Sequence, residues 1–270
     1  MPGFAGGTLN FVMYVVSANE FFLLSSDRLG TNPLFSGSAL LQSGAPFNGT
    51  IFSGNSAFYE TGLSNGVPDV SVGRLNYDGH GTVAVQFDEN AGGTVVMGGL
   101  MTGAYAVSLN GRTVLNLFNQ QTHQQYLATM YAISQNTAFI MDATGSVRSG
   151  YLENQTVTPP FGSADLAGSY AFGAASPLGA ANLVSGAALF DGSGGVQGNE
   201  DQALTSGIQL NQPLGGTYSV SQVSDNGRAV ILLTHPQTET IATWLATYSR
   251  AYGIPADASE TEPTVLIFEQ

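Results

Sequence analysis

The sequence predicts an all-β protein of tandem antiparallel meander units, each of about eight strands, and three observations carry that expectation. The first is composition: charged residues make up 9% of the chain and glycine occurs 35 times, against about 25% charged residues in an average soluble domain. Helices carry Glu, Lys and Arg on their exposed faces, so a chain this poor in charge and rich in glycine reads as short strands and tight turns. The second is a self-alignment at a period of about 113 to 119 residues, too long for a solenoid and suited to repeated domains. The third is the recurrence of Asn-Gly and Asp-Gly pairs between alternating segments, the strongest short-range hairpin signal.

The repeat matches block by block. Gly49, Ile51 and Gly54 align with Gly168, Tyr170 and Gly173; Gly73, Tyr77-Asp78-Gly79 and Gly81 align with Gly186, Phe190-Asp191-Gly192 and Gly194. Gly103, Tyr105 and Val107-Ser108 fall on Gly216, Tyr218 and Val220-Ser221, and Asn110-Gly111-Arg112 falls on Asn226-Gly227-Arg228. Each copy ends on a Ser, Asp, Gln signature, Ser134, Asp142 and Gln155 in one and Ser249, Asp257 and Gln270 in the other. The same signature occurs earlier as Ser17, Asp27 and Gln42, after the apolar run that starts at Leu9. The expected organisation is a partial unit of three strands over 1–46, a full unit over 47–158 and a second over 159–270. Gln270 closes the last unit and is expected to be a natural C-terminus.

Within the first full unit, strands are expected near 49–54, 70–77, 82–88, 94–98, 103–108, 112–118, 126–133, 137–142 and 148–154, each bounded by turn residues. Asn110-Gly111 and Asn226-Gly227 are read as type I′ turns, which need positive φ at both central residues. Alternation places Tyr105 and Val107 on one face and Ala104, Ala106 and Ser108 on the other. Gln120 to Met130, repeated as Gln237 to Leu245, is read as a turn entering a strand rather than a helix. Consecutive hairpins fit an up-and-down barrel or a strongly curled sheet, which removes exposed edges; a two-sheet sandwich is the alternative.

The order Gly-x-aromatic-x-x-Gly, aromatic-Asp-Gly-x-Gly, Gly-x-Tyr-x-Val, Gly-Arg, a Tyr/Val-rich strand ending in Ser and a closing Gln resembles Gly-rich β-repeat modules of uncharacterised exported proteins from Acidobacteria-like soil bacteria. The resemblance covers nearly the whole chain. It implies bacterial origin and export, and it brings no known activity.

Charge narrows the function classes. The chain has a net charge of -13, and its six basic residues are Arg28, Arg74, Arg112, Arg148, Arg228 and Arg250, with no lysine. Nucleic acid is an unsuitable partner, because its phosphates require a basic face, and anionic membranes are disfavoured for the same reason. The chain has no cysteine, so it offers no disulfide, no thiolate nucleophile and no Cys-ligated metal. No apolar run reaches the ~18 residues of a membrane span. Residues 1–7 lack the features of a signal peptide, so an export signal is expected outside this sequence. The expected location is extracellular or at the cell surface.

Chemistry-bearing residues are sparse. His80, His123 and His235 lie in polar turns and are read as exposed. Asp78 with Asp191, Asp88 with Asp201, and Asp142 with Asp257 recur and are read as turn caps. The competing reading makes Asp88, Glu89 and Asp201 weak candidates for Ca²⁺, the one cofactor considered, which needs six to eight oxygens. Asp88-Glu89 and Glu200-Asp201 form no catalytic dyad, because neighbours on a strand face opposite sides. Arg112 and Arg228 are read as strand-start arginines that bond loop carbonyls or pair with a recurring Asp. Tyr14, Phe22, Tyr105, Tyr131, Phe139, Tyr218, Trp244 and Tyr248 are read as core fillers first and cavity lining second.

The function expected is a non-enzymatic extracellular structural or interaction protein. Three strands cannot bury a core alone. The orphan residues Phe11, Met13, Tyr14, Val15, Phe21, Phe22, Leu23 and Leu24 are therefore expected to pack on the first unit or to mediate self-association by strand complementation into a filament. The first alternative is a barrel that binds a small apolar or glycan ligand, which predicts a cavity. The second is a secreted hydrolase, which predicts His or carboxylates from different strands in one cleft.

Overall fold

A computed structural model describes residues 10–27, 36–175, 183–204, 206–222 and 226–270; Leu9 and Arg28 lie outside them. The chain divides into two units, residues 1–43 and 44–270.

In the first unit, β1 (Phe11–Ser17), β2 (Glu20–Ser25) and β3 (Ser36–Leu40) form an antiparallel three-stranded meander. Every residue of β1 is exposed, with Met13, Tyr14 and Val15 at 61%, 63% and 78%. Tyr14 and Phe22 are therefore not core fillers. They sit opposite one another on neighbouring strands.

The second unit holds two closed eight-stranded antiparallel barrels in tandem. The first consists of β4 (Ser53–Ser64), β5 (Val67–Asp78), β6 (Thr82–Ala91), β7 (Thr94–Val107), β8 (Arg112–Asn119), β9 (Gln125–Ser134), β10 (Thr137–Asp142) and β11 (Val147–Asn154). The second consists of β12 (Gly168–Ala175), β13 (Leu183–Phe190), β14 (Gly195–Leu204), β15 (Gly207–Val220), β16 (Arg228–His235), β17 (Glu239–Thr247), β18 (Arg250–Pro255) and β19 (Val265–Glu269). Closure pairs β4 with β11 and β12 with β19, leaving neither barrel a free sheet edge. The curled open sheet and the sandwich are thereby set aside.

Several local expectations change. The strands expected at 94–98 and 103–108 are one strand, β7, bent by a bulge opposite β6. Residues Gly49–Ile51 form a 3-10 turn, and β4 starts only at Ser53. Asn110-Gly111 is not a type I′ turn: Gly111 alone has positive φ, at 82°, and its N–H donates to the Ser108 carbonyl in a wider turn. Paired positive φ values are found instead at Asn65-Gly66, 53° and 81°, between β4 and β5, and at Gly92-Gly93, 55° and 91°, between β6 and β7.

Strand register also corrects the repeat alignment. Gly54 pairs with Tyr77 as Gly168 pairs with Phe190, so Gly54 and not Gly49 is the counterpart of Gly168. The hairpins β1-β2, β9-β10 and β17-β18 share one bulge at their turns, which equates Ser17, Ser134 and Thr247 and displaces Ser249 from the signature. Tyr14, Tyr131 and Trp244 are counterparts, as are Phe22, Phe139 and Tyr252. The three-stranded sheet thus repeats the last three strands of each barrel.

One end of each barrel is filled by aromatic rings. Phe52, Tyr77 and Tyr105 stack with centroids 5.1 to 6.1 Å apart, and Tyr105 Oη donates to the Phe52 carbonyl at 2.9 Å. Tyr170, Phe190 and Tyr218 repeat the arrangement, with Tyr218 Oη donating to the Ser163 carbonyl at 2.9 Å. Above these rings, Phe58 lies across Gly73 and Phe172 across Gly186. A Cβ at either glycine would stand 2.7 Å from the ring and closer still to a backbone carbonyl of the next strand, Gln86 at 2.2 Å or Asn199 at 2.4 Å, so both ring and strand would have to shift.

The barrels join through outward faces. Ala242, Trp244 and Ala246 of β17 with Tyr252 and Ile254 of β18 pack on Ala57, Val70 and Val72 of β4 and β5, forming a third buried apolar cluster between the two barrel cores. Asp88, fully buried, accepts from Trp244 Nε1 at 2.7 Å and from Arg228 Nε at 2.8 Å. Its other oxygen accepts the Gly98 N–H at 2.8 Å. Arg228 Nη2 also donates to that oxygen, at 2.9 Å, so donors from three residues and an ion pair match the burial of the carboxylate.

Candidate ligand cavities

Inward-facing positions alternate along every strand, and towards the end opposite the stacked rings they change from apolar to polar. On β4 the inward series runs Ser56, Phe58, Glu60; on β11 it runs Leu152, Gly150, Arg148. The space left between them is a cavity of about 420 Å³ in the first barrel, with apolar walls such as Leu75, Phe87, Leu117 and Ile140.

Arg148 organises the mouth of that cavity. Its Nη1 reaches Asp69 at 3.1 Å and Glu89 at 2.8 Å, its Nη2 reaches Asp142 at 3.0 Å, and its guanidinium lies 5.5 Å from the Tyr126 ring centre. Tyr126 Oη bonds Glu60 at 2.8 Å. Four carboxylates therefore surround one guanidinium. Burial pushes the Asp69 carboxyl up to about 6, against the pull of Arg148, and raises Glu60 as well. Asp69 Oδ1 is buried without a hydrogen-bond partner.

The second barrel encloses about 370 Å³ between Phe172, Phe190, Leu214, Ile231, Ile241 and Phe268. Register makes Glu239 the counterpart of Tyr126, and Glu200 that of Phe87. Arg148 corresponds to Thr264 and Glu60 to Ala174, so the arginine-centred network of the first mouth is not repeated at these positions. Glu200, Glu239, Glu260 and Glu262 line it, and no basic residue does among the described ones. Burial, together with the charges of Glu200, Glu260 and Asp257, pushes the Glu239 carboxyl up to about 7.

The residues singled out from sequence fall elsewhere. Asp88 lies in the seam between barrels, Glu89 in the first mouth, and Asp201 is exposed on β14, where it accepts the Asn211 N–H at 2.7 Å. The three candidate Ca²⁺ ligands are thus not brought together, because alternation sends Asp88 outward and Glu89 inward. Asp78 and Asp191 do cap turns, accepting the backbone N–H of His80 and Ser193 at 2.7 Å each. Asp142 does so for Thr144 but also serves Arg148. His80, His123 and His235 are exposed. Tyr105, Tyr218 and Trp244 are buried, whereas Tyr131, on the outer face of β9, and Tyr248, in the turn between β17 and β18, are exposed and not core. Sequence reasoning passed over Glu60, Asp69, Tyr126 and Glu239; the signal was a charged or hydroxyl residue at inward parity on an otherwise apolar strand face.

No protein-family model matches the chain, and no curated protein does. Among solved structures, the crystal structure of kievitone hydratase from Nectria haematococca aligns with 80% of this chain and 89% of its own, at 6% identity and a TM-score of 0.26. A likeness of that size transfers neither fold nor activity.

Proposed function

We propose that the protein is a non-enzymatic tandem-barrel binding protein, acting outside the cell, whose second barrel takes a small molecule with an apolar body and a protonated amine. The observation that carries this reading is the second cavity, apolar in its depth and ringed by carboxylates with no basic counter-charge among its described lining residues. Its volume lies in the range of small-molecule sites, which are mostly apolar with a few placed polar groups. A cation at the mouth would complement the acidic rim. The extracellular placement rests on the low charge content and the absence of cysteine and lysine.

A hydrolase would also use carboxylates gathered from different strands, and the first mouth gathers four. Binding is preferred because Arg148 and Tyr126 already engage those groups. A second reading, self-association through the three-stranded sheet, is favoured by the exposure of Phe11, Met13, Tyr14 and Val15 on β1.

Isothermal titration calorimetry with decylamine, decanol and decanoate tests the ligand reading. Decylamine is expected to bind and decanoate to be rejected, with decylamine affinity rising between pH 5 and pH 8 as Glu239 loses its proton. Equal binding of all three, or of none, would reject the amine assignment.

A further inference from the structure

Tandem repetition has duplicated both halves of the barrel seam, but only one half of each copy is used within the chain. The half contributed by the second barrel is the cross-strand pair Arg228 and Trp244, directly opposite one another on β16 and β17. Both grasp Asp88 of the first barrel. In the first barrel the same register places Arg112 opposite Tyr131 on β8 and β9. Both are exposed, Tyr131 at 47%.

The receiving half is duplicated as faithfully. Asp88 sits at the bulge between β6 and β7, where it accepts the N–H of Gly98, a residue at φ 65°. Asp201 sits at the matching bulge between β14 and β15 and accepts the N–H of Asn211, at φ 53°. Asp201 is exposed. Met97, whose sulfur meets Arg228 Nη2 at 3.6 Å, has Leu210 as its counterpart, 65% exposed. Leu183, 46% exposed, stands where Val70 is buried in the seam.

We infer that the outer face of β8 to β10 in one copy docks on the outer face of β12 to β14 in a second copy, Arg112 and Tyr131 gripping Asp201 as Arg228 and Trp244 grip Asp88. The occupant is a second copy because the chain already contains a mated example of this pair of faces. Charge sign agrees: a cation on one face meets a carboxylate on the other. Such a contact uses two different patches, so it is head-to-tail and leaves one free face of each kind on every dimer. The inference does not depend on what either cavity binds, and it uses faces other than the β1 edge.

The test is sedimentation velocity of the full chain over its soluble concentration range. Wild type is expected to show concentration-dependent species larger than a monomer. Arg112→Asp and Asp201→Arg each place like charges at the contact and are expected to weaken association about tenfold or more, with circular dichroism unchanged because both sites are exposed. Mixing the two variants sets the new carboxylate of the first against the new guanidinium of the second, with the native Arg112 and Asp201 meeting in the other orientation, and association is expected to return. A wild type that stays monomeric, or variants that associate as wild type does, would overturn the inference, the latter redirecting it to the three-stranded sheet.

Discussion

The two barrels share a strand order, a bulge position and a stacked aromatic end, yet their mouths are chemically opposite. In the first, Arg148 draws carboxylates from three strands into one buried network. In the second, Thr264 replaces the arginine and Glu239 replaces the tyrosine, and no basic residue is found among the described lining residues. Both barrels keep the same strand order and closure despite the difference. After duplication, the inward positions near the mouth diverged into a filled mouth and an open one.

The largest test of this comparison lies on the outer faces, where one aspartate of the repeat is buried and its twin is not. Asp88→Ala should destabilise the protein by about 3–5 kcal/mol in denaturant unfolding, because it leaves a largely buried arginine and a buried indole N–H without acceptors. Asp201→Ala should stay within about 0.5 kcal/mol. Comparable losses from the two would mean that the seam is not what separates them.

Next in size is Arg148→Met. It removes the cation common to Asp69, Glu89 and Asp142 and should cost about 3 kcal/mol at pH 8. The loss should shrink towards pH 5, as the Asp69 carboxyl, pushed up to about 6 by burial, takes up its proton in the folded state. A pH-independent loss would argue that Arg148 acts by packing alone.

The smaller effect expected at the two mouths is that of Glu239→Gln. The folded carboxyl titrates at about 7 against an ordinary 4.5, so the fold binds this proton more tightly than the unfolded chain does. The stability this group contributes is fully present below about 4.5 and is lost as pH rises through about 7. Glutamine keeps the neutral form, so the variant should gain roughly 1–2 kcal/mol at pH 8, discounted for solvent at the mouth, and nothing below about pH 4. In the same variant decylamine binding should weaken.

The architecture was legible because it is written in residues with local meaning. Asp78-Gly79 and Asp191-Gly192 mark turns through their own backbone bonds, and Gly73 with Gly186 marks where a ring must lie against the chain. The repeat itself was legible, though its first block was misaligned, since Gly49 and Gly168 look alike in sequence and only register separates them. The cavities were not legible. Glu60, Asp69, Tyr126 and Arg148 are spread over residues 60 to 148 and meet only when β4 closes on β11. The seam was hidden for the same reason: Trp244 reads as an ordinary core aromatic until the first barrel supplies Asp88 as its acceptor.

That tryptophan is the only one in the sequence. Its indole is fully buried between the barrels and tied to a carboxylate, outside either cavity lining. Intrinsic fluorescence excited at the indole band is therefore a one-point spectroscopic reporter of barrel-to-barrel contact. A ligand that fills a cavity should leave the emission unmoved, while any treatment that parts the barrels should shift it to the red before either barrel melts.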